Sequence, residues 1–225
     1  LKVLQAAGYT VHIAAKKKAD GQALCCGRTY LAGGMVQEAK LKAAELVSAL
    51  LPFADKGISI VGLEPSCLLT LRDETLVMGL GDAAVTVSQH ALLLEEFLAR
   101  EAAAGKLDAL KAALQPVTQP ILLHGHCHQK AFGAVSPIMD VLRLIPGAKP
   151  ELIESSCCGM AGSFGYEASH YEVSMQMAEL NLLPAVRKQP DAIVVADGTS
   201  CRHQIRDGAQ REAIHVAALL AQQLS

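Results

Sequence analysis

Two cysteine doublets, each followed by glycine, constrain this chain more than any other feature: Cys25-Cys26-Gly27 and Cys157-Cys158-Gly159. Around the second doublet, Cys127 lies upstream and Cys201 downstream, giving Cys-x29-Cys-Cys-Gly-x41-Cys. The first doublet is followed by Cys67, so all seven cysteines fall into two matching sets. A disulfide framework fits poorly. The count is odd, adjacent cysteines bridge only with strained geometry, and a chain of 225 residues that is 51% apolar needs no covalent staples. Thiolates that hold a soft metal must stay reduced, which favours a cytoplasmic setting.

The doublets sit within two copies of one plan. In the first, Leu1 to Gly8 reads as the tail of a helix with a glycine stop, and Tyr9 to Ala15 reads as a strand. A polar loop then leads to Cys25, and Gln37 to Leu51 carries Ala39, Ala43, Leu46, Val47 and Leu50 at helical spacing. Ile58 to Leu63 is a continuous apolar run, as expected for a buried parallel strand. In the second copy, strands are expected at Ile121 to Leu123, Glu151 to Glu154 and Ala192 to Ala196, with a helix from Ser169 to Arg187 bent or ended at Pro184. Gly57-Ile-Ser-Ile-Val-Gly-Leu-Glu-Pro-Ser-Cys67 aligns without a gap on Asp191-Ala-Ile-Val-Val-Ala-Asp-Gly-Thr-Ser-Cys201. Leu92 to Leu114 reads as helical, and the boundary is placed near Pro116, giving repeats at 1–115 and 116–225. The expected fold is α/β: two pseudo-repeated Rossmann-like βαβ halves with mostly parallel sheets and cysteines at the carboxyl ends of strands, where ligands gather in such sheets. The chain begins at Leu1 without Met, so a preceding part containing at least one further strand is expected and the first repeat is incomplete.

Composition excludes several functions. The net charge is −2, with four Phe, four Tyr and no Trp, and no basic stripe that would track nucleic acid. Lys16-Lys17-Lys18 is read as a solvated loop. No run approaches the ~18 to 20 apolar residues that span a bilayer. The expected location is therefore cytoplasmic, or peripheral at the inner membrane face. Gly33-Gly34 and Gly162-x2-Gly165 lack the strand-GxGxxG-helix context of a dinucleotide site, and no Ser-His-Asp nucleophile pattern is present.

Soft thiolates select Zn2+, Cu(I) or iron–sulfur clusters. Small zinc folds use short knuckles, whereas these ligands spread from Cys127 to Cys201 and two are adjacent. Adjacent thiolates chelate one small ion poorly and reach different irons of a cluster more easily. Gly27 and Gly159 allow the backbone to turn tightly beside the cofactor. His124, His126 and His128 alternate around Cys127; on an extended backbone the three rings would share the face opposite the thiol, which speaks against all four ligating one metal. His126 and His128 are candidates for orienting the site or tuning its potential, and Lys130 and Arg202 for stabilising a reduced centre.

The segments Cys-Cys-Gly-Arg, Leu-Glu-Pro-Ser-Cys-Leu, His-Gly-His-Cys-His-Gln-Lys, Ser-Cys-Cys-Gly-Met-Ala-Gly-Ser-Phe-Gly-Tyr-Glu and Ala-Asp-Gly-Thr-Ser-Cys-Arg resemble the CCG cysteine-rich domain. That domain occurs in a subunit of heterodisulfide reductase and in iron–sulfur subunits of glycolate oxidase type. The likeness is strongest to the C-terminal iron–sulfur part of FAD-linked D-lactate and D-2-hydroxyglutarate dehydrogenases. The resemblance implies an iron–sulfur electron-transfer module of a flavin-linked 2-hydroxy-acid dehydrogenase, a fragment or subunit of an oxidoreductase and not catalytic on substrate alone. It implies Cys127, Cys157, Cys158 and Cys201 as ligands of a [4Fe–4S]-type or noncubane cluster, with Cys25, Cys26 and Cys67 as the matching positions of the first repeat. FAD would lie on a separate domain or subunit, and the partners would be a flavoprotein dehydrogenase and a ferredoxin-like iron–sulfur domain, with peripheral membrane contact allowed. Two alternatives stand: a heterodisulfide-reductase-like thiol/disulfide catalyst, and a non-redox interaction domain stabilised by zinc.

Overall fold

The computed structural model describes residues 1–15 and 23–225, so Lys16-Lys17-Lys18 and most of the expected polar loop lie outside the described residues. The chain forms two compact units, His12–Phe97 on one side and Leu1–Val11 with Leu98–Ser225 on the other. Pro116, the expected boundary, lies inside the larger unit.

In the smaller unit, the helix Val36–Ala54 buries Ala39, Ala43, Val47, Leu50 and Ala54, the three-and-four spacing that puts one stripe against a core. Gly57, at φ +71°, turns the chain after this helix into β1 (Ile60–Gly62). β1 pairs in parallel with β2 (Ala91–Leu93), Ile60 opposite Ala91. Between them run the helices Pro65–Thr70, Glu74–Val77 and Asp82–His90.

The larger unit is built on four parallel strands in the order β4-β3-β5-β6: β3 (Ile121–His124), β4 (Pro150–Leu152), β5 (Ile193–Ala196) and β6 (Ala213–Ile214). All four residues of β3 are buried, as a central parallel strand covered on both faces requires. The edge strands are short, and Pro150 opens one of them, where a missing N–H costs no ladder bond. Leu122, Leu182, Leu183, Val186, Val194, Ala196 and Ile205 share one core with Cys158 and Cys201, so two thiols are held by the same packing that folds the unit. The result is a mixed α/β molecule with parallel sheets, as expected from the apolar runs.

Three local expectations are corrected. Tyr9 to Ala15 forms no strand; among the described residues it has no strand beside it, and the Tyr9 hydroxyl instead donates to Glu101 Oε2 at 2.7 Å. Leu92 to Leu114 is not one helix. It contains β2, the helix Leu94–Ala103, a turn at Gly105 (φ +70°) and the helix Asp108–Ala113. The expected helix from Ser169 to Arg187 is divided at Asn181 (φ −147°) into Tyr171–Glu179 and Leu182–Lys188. Pro184 is therefore the third residue of a new helix, where its absent N–H would have had no intrahelical acceptor.

The Tyr9–Glu101 bond sets a pH dependence. Burial and then the Glu101 carboxylate push the Tyr9 phenol up from 10.0 to about 12. The Tyr9 hydroxyl, followed by Lys106, holds the Glu101 carboxyl below its ordinary range. A raised phenol contributes stability that is present below pH 10.0 and lost as pH climbs towards about 12. A depressed carboxyl contributes stability that is lost as pH falls through the acid range. Tyr9→Phe is expected to cost about 1 kcal/mol at neutral pH and to flatten the alkaline limb, measured by urea denaturation across pH.

Candidate metal centre

The order β4-β3-β5-β6 sets β3 beside β5 while the chain leaves β3 towards β4 and leaves β5 towards β6, so the connections at these two carboxyl ends run in opposite directions. A crevice opens at such a reversal, and α/β sheets bind ligands there. The chain leaves β3 through Gly125 and His126 into the helix Cys127–Ala131, and leaves β5 through Asp197 and Gly198 into Thr199–Ala209. Cys127 is the first residue of one helix and Cys201 the third of the other. From β4, Ile153 N still bonds Leu123 O at 2.8 Å before the chain loops through Ser155 and Ser156 to Cys157 and Cys158.

Glycines allow the close approaches. A Cβ on Gly198 would lie 2.3 Å from His126 Cδ2, so the imidazole covers the start of the Cys201 helix. Gly159 adopts φ +91°, and a Cβ there would lie 2.1 Å from Ser174 O. Its N–H turns back to Cys157 Sγ at 3.3 Å. Gln204 Nε2 donates to Ser174 O and Oγ, both at 3.0 Å, fixing the carbonyl that Gly159 packs against. Lys130 Nζ donates to the carbonyls of Ser155 and Ser156, the latter at 2.7 Å, and so ties the doublet loop to the Cys127 helix. Arg202 holds the end of β5 through Ala196 O at 3.0 Å and Asp197 O at 2.6 Å.

Asp197 is the buried knot of the site. It accepts from Gln129 Nε2 at 3.0 Å and from Val216 N at 2.9 Å, joining the Cys127 helix, the end of β5 and the C-terminal helix Val216–Gln222. Gln129 in turn accepts from His126 N at 3.0 Å through Oε1, completing a capping box in which His126 Nδ1 accepts from His128 N at 3.2 Å.

These constraints bring the four cysteines of the second set together. Cys157 shares hydrogen bonds with Cys127 and Cys158, Cys158 shares one with Cys201, and Cys201 meets the His124 imidazole. The ligand atoms of His124, Cys158 and Cys201 lie within 4.8 Å of one another and all three residues are buried. Cys127 is exposed and Cys157 half-buried, so the cluster of sulfurs grades from core to surface. The bond from Cys127, then that from Cys158, holds the Cys157 thiol far below its ordinary value, and the bond with Cys158 does the same for Cys201. Cys127 and Cys158 are pushed up, each first by its bond to Cys157. Four sulfurs this close cannot all ionise in a buried place unless a cation joins them, which is the donor chemistry of a thiolate metal site.

The first set repeats the local geometry within the smaller unit. Gly27 has φ +83°, its N–H meets Cys25 Sγ at 3.4 Å, and a Cβ would lie 2.5 Å from Ala39 O. Cys67 is the third residue of the helix Pro65–Thr70, as Cys201 is of its own. The bond from Cys67 brings the Cys26 thiol down to about 6 and drives Cys67 up. Cys67 is exposed where Cys201 is buried, so this set is the more open.

The three histidines do not lie on one extended face. His124 ends β3, His126 caps a helix and His128 lies within it, with the last two rings 5.2 Å apart. Ser66 Oγ donates to Glu64 Oε1 at 2.9 Å, and Glu167 Oε2 lies 3.2 Å from His170 Nδ1. Sequence reasoning gave no role to Asp197, Gln129, Ser174, Gln204 or Ser155. Only Asp197 carried a signal, a carboxylate directly after an apolar strand and before Gly-Thr-Ser-Cys.

Residues 121–206 match the protein family described as the CCG cysteine-rich domain, a span that holds all four cysteines of the second set. Over its whole length the chain is similar to one subunit of the anaerobic glycerol-3-phosphate dehydrogenase of Escherichia coli strain K12, at 29% identity across 227 residues, and spans 54% of that protein. It is also similar to D-2-hydroxyglutarate dehydrogenase of the same strain, 32% identical over 159 residues, covering 68% of this chain and 14% of that protein. The corresponding dehydrogenase of Pantoea ananatis is 30% identical over 183 residues, 80% of this chain and 17% of that protein. The chain thus spans about half the length of the first relative and a smaller share of the others.

Two substitutions test the site's construction. Gly159→Ala must move either the doublet or Ser174, and is expected to cost more than about 1 kcal/mol in urea denaturation and to weaken metal uptake. Asp197→Ala removes the acceptor of Gln129 Nε2 and of the Val216 N–H, buried bonds whose loss costs about 1–3 kcal/mol, and is expected to lower thermal stability more than the truncation of any surface carboxylate.

Proposed function

We propose, from the premise that the chain belongs through residues 121–206 to the CCG cysteine-rich family, that it is the iron–sulfur electron-transfer module of a flavin-linked dehydrogenase. The observation that carries this reading is the convergence of Cys127, Cys157, Cys158 and Cys201 at the sheet's reversal point, inside the matched span. These four would hold the cluster in the second set, [4Fe–4S] or noncubane in type, and Cys25, Cys26 and Cys67 would serve the first. A bound cluster supplies one-electron steps that a two-electron donor such as a reduced flavin needs for passing electrons onward.

The residues around it have separate tasks. Gly159 and Gly198 let backbone and ring close on the thiols, Lys130 fixes the doublet loop, and Asp197 with Gln129 keeps the two cysteine-bearing helices in register. The exposure of Cys127 leaves one side of the centre within reach of a carrier. No helix among the described residues is long and apolar enough to cross a membrane. The flavoprotein partner, a ferredoxin-like domain and FAD lie beyond the span of this chain in this reading. The names of the relatives favour oxidation of a small hydroxylated anion, either a 2-hydroxy acid such as D-2-hydroxyglutarate or glycerol 3-phosphate.

The test is electron acceptance. The chain reconstituted with iron and sulfide without oxygen should lose visible absorbance on mixing with photoreduced free flavin and regain it on adding a quinone analogue. Cys157→Ser and Cys201→Ser should each lose most of that response. An iron-loaded chain whose absorbance ignores both dithionite and reduced flavin contradicts an electron-transfer role.

A further inference from the structure

Of the three histidines near Cys127, the structure separates one from the others. His126 spends Nδ1 on the His128 N–H and closes the helix cap. His124 caps nothing. It ends β3 with 1% of its surface exposed, opposite Ala196 of β5, and its ring reaches the two most buried thiols of the set.

The hydrogen bond on its far side fixes what the near side can do. His124 Nδ1 lies 2.9 Å from Ser155 Oγ, and Ser155 Oγ directs its own hydrogen to Ile153 O at 3.5 Å. With its own hydrogen so directed, Ser155 Oγ can accept from Nδ1–H, the tautomer in which Nε2 keeps a lone pair. With Nδ1 on Ser155, the lone pair available to a metal shared with Cys158 and Cys201 is that of Nε2. A ring that donates its outer N–H to a fixed acceptor and turns its other nitrogen on thiolates is the usual arrangement of a histidine ligand. Ser155 is itself fixed, because Lys130 Nζ holds its carbonyl and that of Ser156.

We propose that His124, through Nε2, is a ligand of the metal centre alongside Cys158 and Cys201. The inference rests on the proposed iron–sulfur centre and extends it: the centre is a mixed thiolate–imidazole site with its nitrogen ligand on the buried side and Cys127 on the exposed side. A neutral imidazole among thiolates lowers the negative charge that reduction must add to, so His124 holds the reduction potential above that of an all-cysteine centre. Ser155 is a positioning residue that fixes the ring's tautomer and orientation.

The experiment is pulsed electron paramagnetic resonance on the full chain, reconstituted with iron and sulfide and reduced with dithionite, prepared with natural and with nitrogen-15 histidine. The expected spectrum shows a strongly coupled nitrogen that changes with the label and is lost in His124→Ala, while iron and colour remain on the four cysteines. His124→Cys should lower the midpoint potential, and Ser155→Ala should weaken iron retention about 10- to 100-fold while keeping the coupled nitrogen. If His124→Ala does not fold, the labelled parent chain decides the question alone. A reduced cluster with no label-sensitive coupling overturns the ligand assignment and leaves the electron-transfer reading standing. Failure to take up iron at all overturns both.

Discussion

The parallel pairing of β3 with β5 is the constraint on which the rest of the larger unit depends. His124 lies opposite Ala196, so the two chains leave the sheet side by side, and the helices they enter begin within contact of each other. Cys127 and Cys201 are 74 positions apart in sequence (201 minus 127) and are brought together only because this register is fixed. A slip of one residue would move every side chain of the slipped strand to the opposite face, out of its fitted packing, and shift the two cysteine-bearing loops relative to each other. The apolar side chains that prevent the slip, Leu122 and Val194 among them, belong to the same core as Cys158 and Cys201.

Polar groups then fix what packing alone would leave loose. Asp197 joins three elements through two hydrogen bonds, and each is shielded from water, which makes its loss costly. The glycines work by subtraction. At Gly159 and Gly198 the space a methyl group would need is already filled by Ser174 O and by the His126 ring. Gly27 shows the same arrangement against Ala39 O in the other unit, which makes the doublet followed by glycine a structural motif as well as a chemical one.

Much of this was written openly in the sequence. The apolar runs before Ser66-Cys67 and Ser200-Cys201 announced two strands and the gapless alignment between them, and the observed helices begin at the matching positions Pro65 and Thr199. The stripe Ala39, Ala43, Val47, Leu50 announced the long helix. Tyr9 to Ala15 misled because β-propensity says nothing about whether a partner strand is present, and Leu92 to Leu114 misled because a three-residue buried strand has no period of its own. The alternation of His124, His126 and His128 suggested an extended backbone, whereas the chain passes from strand to helix within those five positions. The parts of the site that stayed hidden are the ones defined by long-range partners. Gln129, Ser174 and Gln204 look like ordinary helix residues until Asp197 and Gly159 are placed beside them.

A gradient from buried to exposed sulfur, with backbone closing tightly behind it, suits a centre that must be held rigidly and yet exchange electrons at its outer face. The central claim is that the four converging cysteines hold iron and sulfide. The most direct measurement is the iron, zinc and acid-labile sulfide content of the chain purified without oxygen, beside that of Cys158→Ser. The account predicts iron and sulfide in comparable amounts in the parent chain and a large loss of both in the variant. Zinc alone, with no sulfide even after anaerobic reconstitution, would contradict it and leave a thiolate site of structural purpose.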